Sequence, residues 1–411
     1  MVLAKKASWL KTALMLALCF AIVMVTFYPE KTKADSSKIF QVVATFNGDA
    51  STQRGFSWFS TPDVTGSDIR VSTNLDMTGA IVFNGTSNTF SKIETAFAPS
   101  ETTYYNHKAL ATGLTPDTKY YYQAGSAAQN IWGEMGSFTT NSGNELTFML
   151  TTDVHLGAND LPGNAEFYAE ALKDAVVKNG KPFDFIATTG DYTTQWAWDG
   201  MGLSTYRYHE DEWIRGMSFP EYSETTFVHA TGNHDNKVGL APAQYAMINH
   251  YNVTNATGDA AGGINYSFDY GNVHFVVFNN RESSALASTA EQNWLRDDLA
   301  ASTKQWKIVF LHYPVYSGGT VSSTMQNMVN YIEAAGADYV FQGHTHNYTR
   351  TLPVINGATQ SRTIMDLSVG NAQKYYNIDQ TGTTYVINST TGGADTWGGG
   401  GSLNAQQRSN R

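Results

Sequence analysis

The second part of the chain alternates between short apolar runs and longer stretches with helical periodicity. Residues 164–177, 288–301 and 324–335 repeat apolar positions at the spacing of an amphipathic helix. The short runs predict buried strands, and they lie at residues 146–150, 183–186, 227–228, 308–311 and 339–341. Further strands are predicted at 273–278, 364–369 and 384–387, the last two in a second sheet. Strands that alternate with helices predict an α/β domain, which we place at residues 145–395.

The segment before this domain has a different pattern. Residues 39–140 alternate apolar and polar positions over short stretches, for example at 56–59, 69–71 and 120–123, with turn-forming residues between them. This pattern is typical of a β-sandwich. Residues 141–144 predict a linker. Residues 396–411, which begin within a Gly-rich stretch and are otherwise polar, predict a flexible tail.

The first 34 residues predict a signal peptide and therefore a secreted protein. Three lysines, Lys5, Lys6 and Lys11, precede an apolar run at 13–25 that is too short to span a membrane comfortably. The segment Thr32-Lys33-Ala34 has small residues at the positions that a signal peptidase recognises. We therefore expect cleavage after Ala34 and no stable membrane anchor. The alternative is an uncleaved N-terminal anchor. The only cysteine, Cys19, lies in this run, so the mature chain has no disulfide.

Charge narrows the choice of partners. The net charge is −10, and residues 1–34 hold five Lys and one Glu, a net +4, so the mature chain carries −14. Such a surface repels long polyanions, which argues against nucleic acid as the main partner. Small phosphate esters remain possible, because bound divalent metals reverse the local sign of the charge.

Five polar blocks follow the predicted strands and carry the chemistry. They supply three carboxylates, one amide and five imidazoles, and they are Asp153-Val154-His155, Gly190-Asp191, Gly232-Asn233-His234-Asp235, His312 and Gly343-His344-Thr345-His346. In α/β sheets, ligands collect at the carboxyl ends of the strands. Oxygen and nitrogen donors suit hard or borderline divalent metals. A shared Asp between two ligand sets is what a pair of metals about 3.5–4 Å apart requires, and such pairs cleave phosphate esters.

These blocks, D-x-H, G-D, G-N-H-D, H and G-H-x-H, resemble those of the calcineurin-like metallophosphoesterases. Residues 103–107, 109–123 and 136–140 also resemble the end of the fibronectin-type sandwich that precedes this domain in purple-acid-phosphatase-like proteins. The resemblance implies an α+β/α/β chain. An N-terminal β-sandwich, fibronectin III-like, would occupy residues 39–140, followed by a metallophosphoesterase domain of two packed β-sheets flanked by helices.

The resemblance and the donor types together assign the ligands. The first metal would be held by Asp153, His155, Asp191 and His346, and the second by Asp191, Asn233, His312 and His344. Asp191 would bridge the two ions with one oxygen on each. The glycines at 190, 232 and 343 would let the backbone turn sharply between strand and ligand.

One departure from the purple acid phosphatases bears on the metals. Those enzymes share a Tyr three residues after the bridging Asp, where this chain has Thr194, and a Gly where it has His155. Tyr192 would point the other way on an extended backbone. We therefore expect no tyrosinate ligand, with His155 in its place. The two divalent ions are Fe, Mn or Zn, and ligand type alone does not choose among them.

The family mechanism predicts that a metal-bridging hydroxide attacks phosphorus. We expect His234 to be the general acid for the leaving group and Asp235 to orient its imidazole. An extra ligand or a packing residue is the alternative for His234. Structural roles are expected for His107, His229, His250 and His274. The aromatic residues around His209, within 193–221, would form either a substrate rim or the core of their own loop.

Together these features predict a secreted dinuclear-metal phosphoesterase that hydrolyses small phosphate monoesters. One alternative is a phosphodiesterase or nucleotidase with the same metals, because ligands do not separate these activities. Another is a surface-binding protein whose catalytic domain is inert. Metal identity, pH optimum, natural substrate and oligomeric state do not follow from the sequence.

Overall fold

The structure is a computed structural model that describes residues 38–92, 102–141, 143, 145–156, 163–193, 220–235, 265–280, 287–317, 320–321, 325–360, 364–366, 375–377 and 381–391. The predicted signal peptide, the tail, Thr194, His209 with its aromatic neighbours at 194–219, and His250 lie outside these residues. No helix in the described ranges is long and apolar enough to span a membrane.

Strands dominate the described chain. They are β1 (Ile39–Thr45), β2 (Gly48–Asp49), β3 (Arg54–Ser60), β4 (Asp68–Ser72), β5 (Ile81–Asn84), β6 (Thr86–Lys92), β7 (Thr102–Ala111), β8 (Lys119–Ser126), β9 (Ile131–Trp132), β10 (Gly136–Thr139), β11 (Phe148–Thr151), β12 (Phe185–Thr188), β13 (Thr226–His229), β14 (Tyr266–Tyr270), β15 (Val273–Val277), β16 (Trp306–Phe310), β17 (Tyr316–Ser317), β18 (Thr320–Val321), β19 (Tyr339–Gln342), β20 (Tyr348–Arg350), β21 (Val354–Ile355), β22 (Ala358–Thr359), β23 (Ile364–Asp366), β24 (Tyr375–Asn377) and β25 (Thr384–Asn388). The helices are α1 (Gly163–Asn179), α2 (Pro220–Ser223), α3 (Thr289–Ala301) and α4 (Gln326–Ile332).

The N-terminal part is rich in β structure, as the sequence predicts. Strands β10-β8-β4-β5 form one sheet, with β9 on β8, and β1-β3-β7-β6 lie side by side in another. Buried side chains from both, including Phe56, Trp58, Val71 and Tyr122, form a single apolar core. Alternation along these strands places one face of each sheet on that core.

The sheet that contains β1, β3, β7 and β6, called the first sheet below, continues into strands that follow residue 140. Its strand order is β11-β12-β13-β1-β3-β7-β6, and β1 pairs in parallel with β13, with Ala44 opposite Thr226. In addition, β2 pairs with β14 of the second large sheet. The sequence predicted two domains joined by a linker at residues 141–144; in the structure the N-terminal strands extend one sheet of the following domain, and β2 pairs at the edge of the other.

A second large sheet has the order β2-β14-β15-β16-β19-β25-β20. It contains the predicted strands at 273–278 and 384–387. The run at 364–369 was predicted for the same sheet, and this is wrong: β23 pairs with β24 in a ribbon of its own. The local apolar pattern is the same in both cases, and only long-range pairing separates them.

The two large sheets pack face to face through aromatic rings. Phe148 stacks on Phe185 at 4.8 Å between ring centroids, and Phe275 stacks on Phe310 at 5.6 Å. Phe148 also meets Phe275 edge-on at 6.0 Å, which joins the sheets. Ring pairs of this kind contribute about 0.5–1.5 kcal/mol each beyond their buried area. The prediction of two packed sheets is confirmed.

Helices cover the outer faces of both sheets. Helix α1 buries Tyr168 and Leu172 against the first sheet. On the second sheet, α3 buries Leu295 and Leu299, and α4 packs into the same core. Helix α3 begins with a capping box, in which Ser288 accepts from the N–H of Glu291 and Glu291 accepts in return. The helices hold the sheets so that the carboxyl ends of β11, β12, β13, β16 and β19 open at one edge.

Candidate metal centre

All seven predicted ligands meet at this edge. Three groups have donor atoms within 4.8 Å of one another: Asp153 with His155 and His346, His155 with Asp191 and His234, and Asp191 with His312 and His344. The groups overlap in His155 and Asp191, so they form one continuous cluster. The five blocks meet because parallel strands place their carboxyl ends at the same edge.

The first side of the cluster holds the ligands expected for the first metal, and the second side those expected for the second. On the first side, imidazoles and a carboxylate face one another. His346 Nε2 lies 3.3 Å from Asp153 Oδ1, and His155 Nε2 lies 3.1 Å from His346 Nε2. The side chains of His155 and His346 keep 10% and 11% of their exposure. Each side keeps one partly exposed histidine, His346 here and His344 on the other side, whereas His312 is fully buried.

On the second side, Asn233 is central. Its Oδ1 lies 3.0 Å from His312 Nε2 and 2.9 Å from His344 Nδ1. His312 Nε2 also lies 3.1 Å from Asp191 Oδ2. The ring of Tyr313 packs on the ring of His344 at 4.6 Å and restricts its orientation.

Asp191 stands between the two sides through a single oxygen. Its Oδ1 accepts a 2.7 Å hydrogen bond from the backbone N–H of His234. Its Oδ2 faces the Nε2 atoms of His312 at 3.1 Å and of His155 at 3.9 Å. Asp191 would therefore be shared by both ligand sets, and the expectation of one oxygen on each ion stays a prediction.

The arrangement fits metal ions. Atoms that bind one ion at about 2.0–2.2 Å lie about 3.0–3.4 Å apart, as several of these pairs do. His312 Nδ1 lies 2.8 Å from the carbonyl oxygen of Thr189, which can only accept, so Nδ1 carries the proton. Nε2 of the same ring faces the oxygens of Asn233 and Asp191, so a metal ion bound there would take the place of a second ring proton, and the carbonyl of Thr189 orients the ring for it.

The electrostatics favour the same arrangement. Burial lowers the pKa of His155 and of His344 to about 4, so both rings are neutral and offer lone pairs. Burial opposes the charged form of His312 as well, but the Asp191 carboxylate outweighs it and raises the pKa of His312 to about 9. For Asp191, burial works to raise the pKa, yet His312 and its neighbours hold it below the usual range.

The backbone at the ligands is unusual. Five of them have positive φ: Asp153 at 47°, His155 at 50°, Asp191 at 51°, His344 at 73° and His346 at 49°. A left-handed residue other than Gly costs about 1–2 kcal/mol. Asp and His are among the residues that enter this region most often. The cluster therefore concentrates backbone strain where the ligands lie.

The glycines of the blocks act in two different ways. Gly190 has φ 98° and makes the sharp turn that we predicted. Gly232 and Gly343 have ordinary φ, so the turn prediction is wrong for them. A Cβ on Gly232 would collide with Asp191, and one on Gly343 would collide with Thr152. These two glycines permit close approach of neighbouring loops.

His234 lies at the mouth of the cluster. Its Nε2 is 3.9 Å from Asp191 Oδ2, and its ring meets the ring of His155 edge-on at 4.7 Å. The side chain keeps 11% of its exposure. It can therefore reach a group bound beside His155, and its nitrogen is also close enough to be an additional ligand.

Asp235 does not have the predicted role. Its Oδ1 accepts from the backbone N–H groups of Tyr192 and Thr193, at 3.0 Å each, and its Oδ2 accepts from the N–H of Gly232 at 2.8 Å. His229 Nε2 lies 3.3 Å from the same Oδ2. The carboxylate is committed to the loops and to His229, so the expectation that it orients His234 is corrected.

Tyr192 points away from the ligands, as predicted. Its ring is fully buried among Tyr168, Tyr222 and Phe227, and its hydroxyl donates to the hydroxyl of Tyr222 at 3.3 Å. Burial raises its pKa well above the usual range, so it stays a neutral phenol. Tyr192 does not supply a tyrosinate ligand.

Three of the remaining histidines have structural contacts, as expected. His107 lies 2.7 Å from the hydroxyls of both Ser60 and Ser67 inside the N-terminal core. His274 lies between two carboxylates, those of Asp269 at 2.8 Å and Asp298 at 3.0 Å. The third, His229, is fully buried beside Asp235.

Two threonines at the site were missed in the sequence. Thr152 donates through Oγ1 to Asp153 Oδ2 at 2.7 Å. Thr189 supplies the carbonyl for His312, and its hydroxyl donates to Gln342 O at 3.2 Å. Both belong to Thr-Thr pairs that end a strand just before a block, at 151–152 and 188–189. That repetition was a usable signal.

Comparison with known proteins agrees with the geometry. Residues 146–348 match the family described as calcineurin-like phosphoesterase, and residues 39–140 match the purple acid phosphatase N-terminal domain. Purple acid phosphatase 23 of Arabidopsis thaliana is 22% identical over 302 residues, 66% of this chain and 63% of the relative. Purple acid phosphatase 22 of the same plant is 26% identical over 282 residues, 64% of this chain and 58% of the relative. The chain thus spans less than two thirds of either relative.

A solved structure shows the same fold. The purple acid phosphatase from yellow lupin (Lupinus luteus) seeds aligns with 86% of this chain and 65% of its own, with a TM-score of 0.62 and 15% identity. The five ordered blocks, the two packed sheets and both family matches agree. The chain therefore carries a calcineurin-like phosphoesterase domain and, ahead of it, the N-terminal domain of the purple acid phosphatases.

Proposed function

We propose that the protein is a dinuclear-metal phosphoesterase that hydrolyses phosphate monoesters. The observation that carries this proposal is Asp191 Oδ2, which faces His312 on one side of the cluster and His155 on the other. A shared carboxylate oxygen between two ligand groups is what a pair of divalent ions requires. The two plant relatives are purple acid phosphatases, which supports a monoester as the substrate.

The residues divide into two ligand sets. Asp153, His155, Asp191 and His346 would hold the first ion, and Asp191, Asn233, His312 and His344 the second. Two such ions supply Lewis acidity to a phosphoryl group and acidify water. Fe, Mn and Zn all suit these donors. With Tyr192 buried away from the site, we propose that no tyrosinate takes part.

His234 is the proposed proton donor. Its Nε2 lies 3.9 Å from Asp191 Oδ2 with the side chain still 11% exposed, so it can carry a proton toward a leaving oxygen there. His312 is not available for this task, because it is fully buried and its Nδ1 is held by Thr189. The leaving group would therefore depart on the side of His234.

The rival reading is a surface-binding protein with an inert catalytic domain. A chain that never bound metals would have no need to hold five ligand residues in the left-handed region. The complete ligand set, with its hydrogen-bonded supports, argues against that reading. Secretion is part of the proposal and rests on the sequence of residues 1–34.

A paired assay tests the proposal. Chelator-stripped protein is reloaded with Fe(II), Mn(II) or Zn(II) and assayed on 4-nitrophenyl phosphate and on bis(4-nitrophenyl) phosphate. We expect metal-dependent turnover that is faster on the monoester, and none in Asp191→Ala. Faster turnover of the diester would favour the phosphodiesterase alternative. Two bound ions without turnover of either ester would favour the inert domain.

A further inference from the structure

We propose that Asp235 is a positioning residue that fixes the spacing of the two metal sites by bracing the loop of Asp191 against the loop of Asn233. The proposal rests on the proposed metal pair but not on hydrolysis. It assigns His229 as the buried partner of the brace. The carboxylate of Asp235 makes five contacts, and they support the left-handed backbone of Asp191.

The first arm of the brace holds the loop after the bridging ligand. Oδ1 of Asp235 accepts from two consecutive backbone N–H groups, those of Tyr192 and Thr193, at 3.0 Å each. The hydroxyl of Thr193 donates to the same oxygen at 3.2 Å. Consecutive N–H groups converge on one anion where the chain leaves the ordinary helical handedness, and Asp191 just before them has φ 51°. The carboxylate therefore stabilises the strained backbone of the bridging residue.

The second arm holds the loop of the other ligand. Oδ2 of Asp235 accepts from the N–H of Gly232 at 2.8 Å, immediately before Asn233. Gly232 is also where the two loops touch, because a Cβ there would collide with Asp191. One carboxylate thus ties together the backbone on both sides of this contact, and both ligands concerned belong to the second ion.

His229 completes the brace from the sheet. It ends β13 and is fully buried, with Nε2 at 3.3 Å from Asp235 Oδ2. Its backbone N–H donates to the hydroxyl of Tyr266 at 3.3 Å. The carboxylate of Asp235 is therefore held by a side chain whose own backbone belongs to a strand of the core. A buried carboxylate with this many donors is expensive to replace.

The brace predicts an uneven effect on the two ions. Two of the four proposed ligands of the second ion, Asp191 and Asn233, lie on the braced loops, whereas Asp191 is the only such ligand of the first ion. Residues that support metal ligands typically contribute 10–100-fold in metal affinity. We expect Asp235→Asn to weaken the second ion by about this factor and to weaken the first ion less.

The experiment uses the full chain, stripped of metal and titrated with Co(II) by calorimetry and visible absorption. Asp235→Asn keeps the size of the side chain and one acceptor oxygen, and Thr193→Val removes only the hydroxyl contact. Asp184→Asn is the matched control. Asp184 also accepts a backbone N–H, that of Thr147 at 2.6 Å, but at the opposite end of β12.

The brace is supported if Asp235→Asn binds the second equivalent of Co(II) with lower affinity and shows an altered Co(II) absorption band. Thr193→Val should show a smaller change of both. Asp184→Asn should lose thermal stability but bind both equivalents as the unmodified protein does. Two outcomes overturn the proposal: unchanged binding and absorption in folded Asp235→Asn, or an equal loss in Asp184→Asn. Neither outcome depends on turnover, so failure of the proposed hydrolysis is distinguished from failure of the brace.

Discussion

The backbone N–H of His234 donates to Oδ1 of Asp191 at 2.7 Å, while the ring of the same histidine lies 3.9 Å from Oδ2 of that carboxylate. His234 thus holds the proposed bridging ligand with its backbone, while its side chain faces the ring of His155 and the other oxygen of Asp191. Replacing the ring leaves the backbone contact in place, so the two contributions can be separated by mutation.

His234→Ala is therefore expected to keep both metals and to lose rate. A positioned general acid contributes about 10²–10⁴-fold. The loss should be large for alkyl phosphates, whose leaving oxygen needs a proton, and small for 4-nitrophenyl phosphate. Steady-state kinetics on both esters, with metal content measured on the same samples, checks this. An equal loss on both esters would leave His234 as a phosphate-binding cation, and loss of a metal would make it a ligand.

Removal of the bridging residue should empty the site. Asp191→Ala is expected to lose both ions, because Oδ2 faces both ligand groups, while Asn233→Ala should weaken mainly the second ion. Elemental analysis of the purified variants checks the difference. Two metals retained in Asp191→Ala would contradict the assignment. Asp184→Asn is the control, because Asp184 directly precedes β12, whereas Asp191 follows the other end of that strand.

The metal-loaded protein should be colourless or pale. The Tyr192 ring is buried and its hydroxyl is bonded to Tyr222, so it cannot supply a ferric charge-transfer band. Tyr192→Phe should leave the visible spectrum and the metal content unchanged and cost about 0.5–1.5 kcal/mol of stability for the lost hydrogen bond. A strong visible band that disappears in Tyr192→Phe would show that the ligand has been misassigned.

His274 should make stability depend on pH. Burial opposes its charged form, but the hydrogen bonds and charges of Asp269 and Asp298 raise its pKa from 6.5 to about 9. Lys304, which pairs with Asp269 at 3.6 Å, is the cation that also faces this cluster. A group whose pKa is higher in the folded state stabilises fully below pH 6.5 and loses this contribution as pH rises through about 9. Urea unfolding of His274→Gln should therefore show a deficit of about 1–3 kcal/mol at pH 7 that largely disappears at pH 10.

A matched histidine gives the control for this measurement. Burial lowers the pKa of His107 to about 4, so His107 is neutral throughout this range. His107→Gln should cost stability by a similar amount at pH 7 and pH 10, because only neutral hydrogen bonds to Ser60 and Ser67 are changed. A deficit in His274→Gln that does not change with pH would argue against a charged His274.

A chain that begins at residue 145 should keep its ligands but lose stability and solubility. No predicted ligand lies before Asp153, yet β1 is paired with β13, and Phe46 packs edge-on against Phe185 at 5.5 Å. Removing the N-terminal strands exposes the edge of β13 and this apolar face. Metal titration and light scattering check both parts. A soluble, folded fragment without metal affinity would mean that the N-terminal domain contributes to the site.

The sequence predicted the kinds of elements and the residues that meet in the candidate site, but not the long-range pairing of the strands. The blocks could be identified because each one combines ligand-type residues with a strand end. The union of β1 with β13, and the pairing of β23 with β24 instead of the second sheet, depend on contacts between distant segments, which local periodicity does not encode. The contacts of Asp235 were missed for the same reason, because Tyr192 and Thr193 lie on a distant loop.

The left-handed ligands carry one further implication. Gly or Asn at positions such as His155 or His346 would relax the backbone, so a substitution that stabilises the metal-free fold there would also remove an imidazole ligand. Stability and function are opposed at these five positions in a way that they are not in the aromatic core. A search for thermostable variants in the absence of metal would therefore tend to erode the site first, and one conducted with metal present would preserve it.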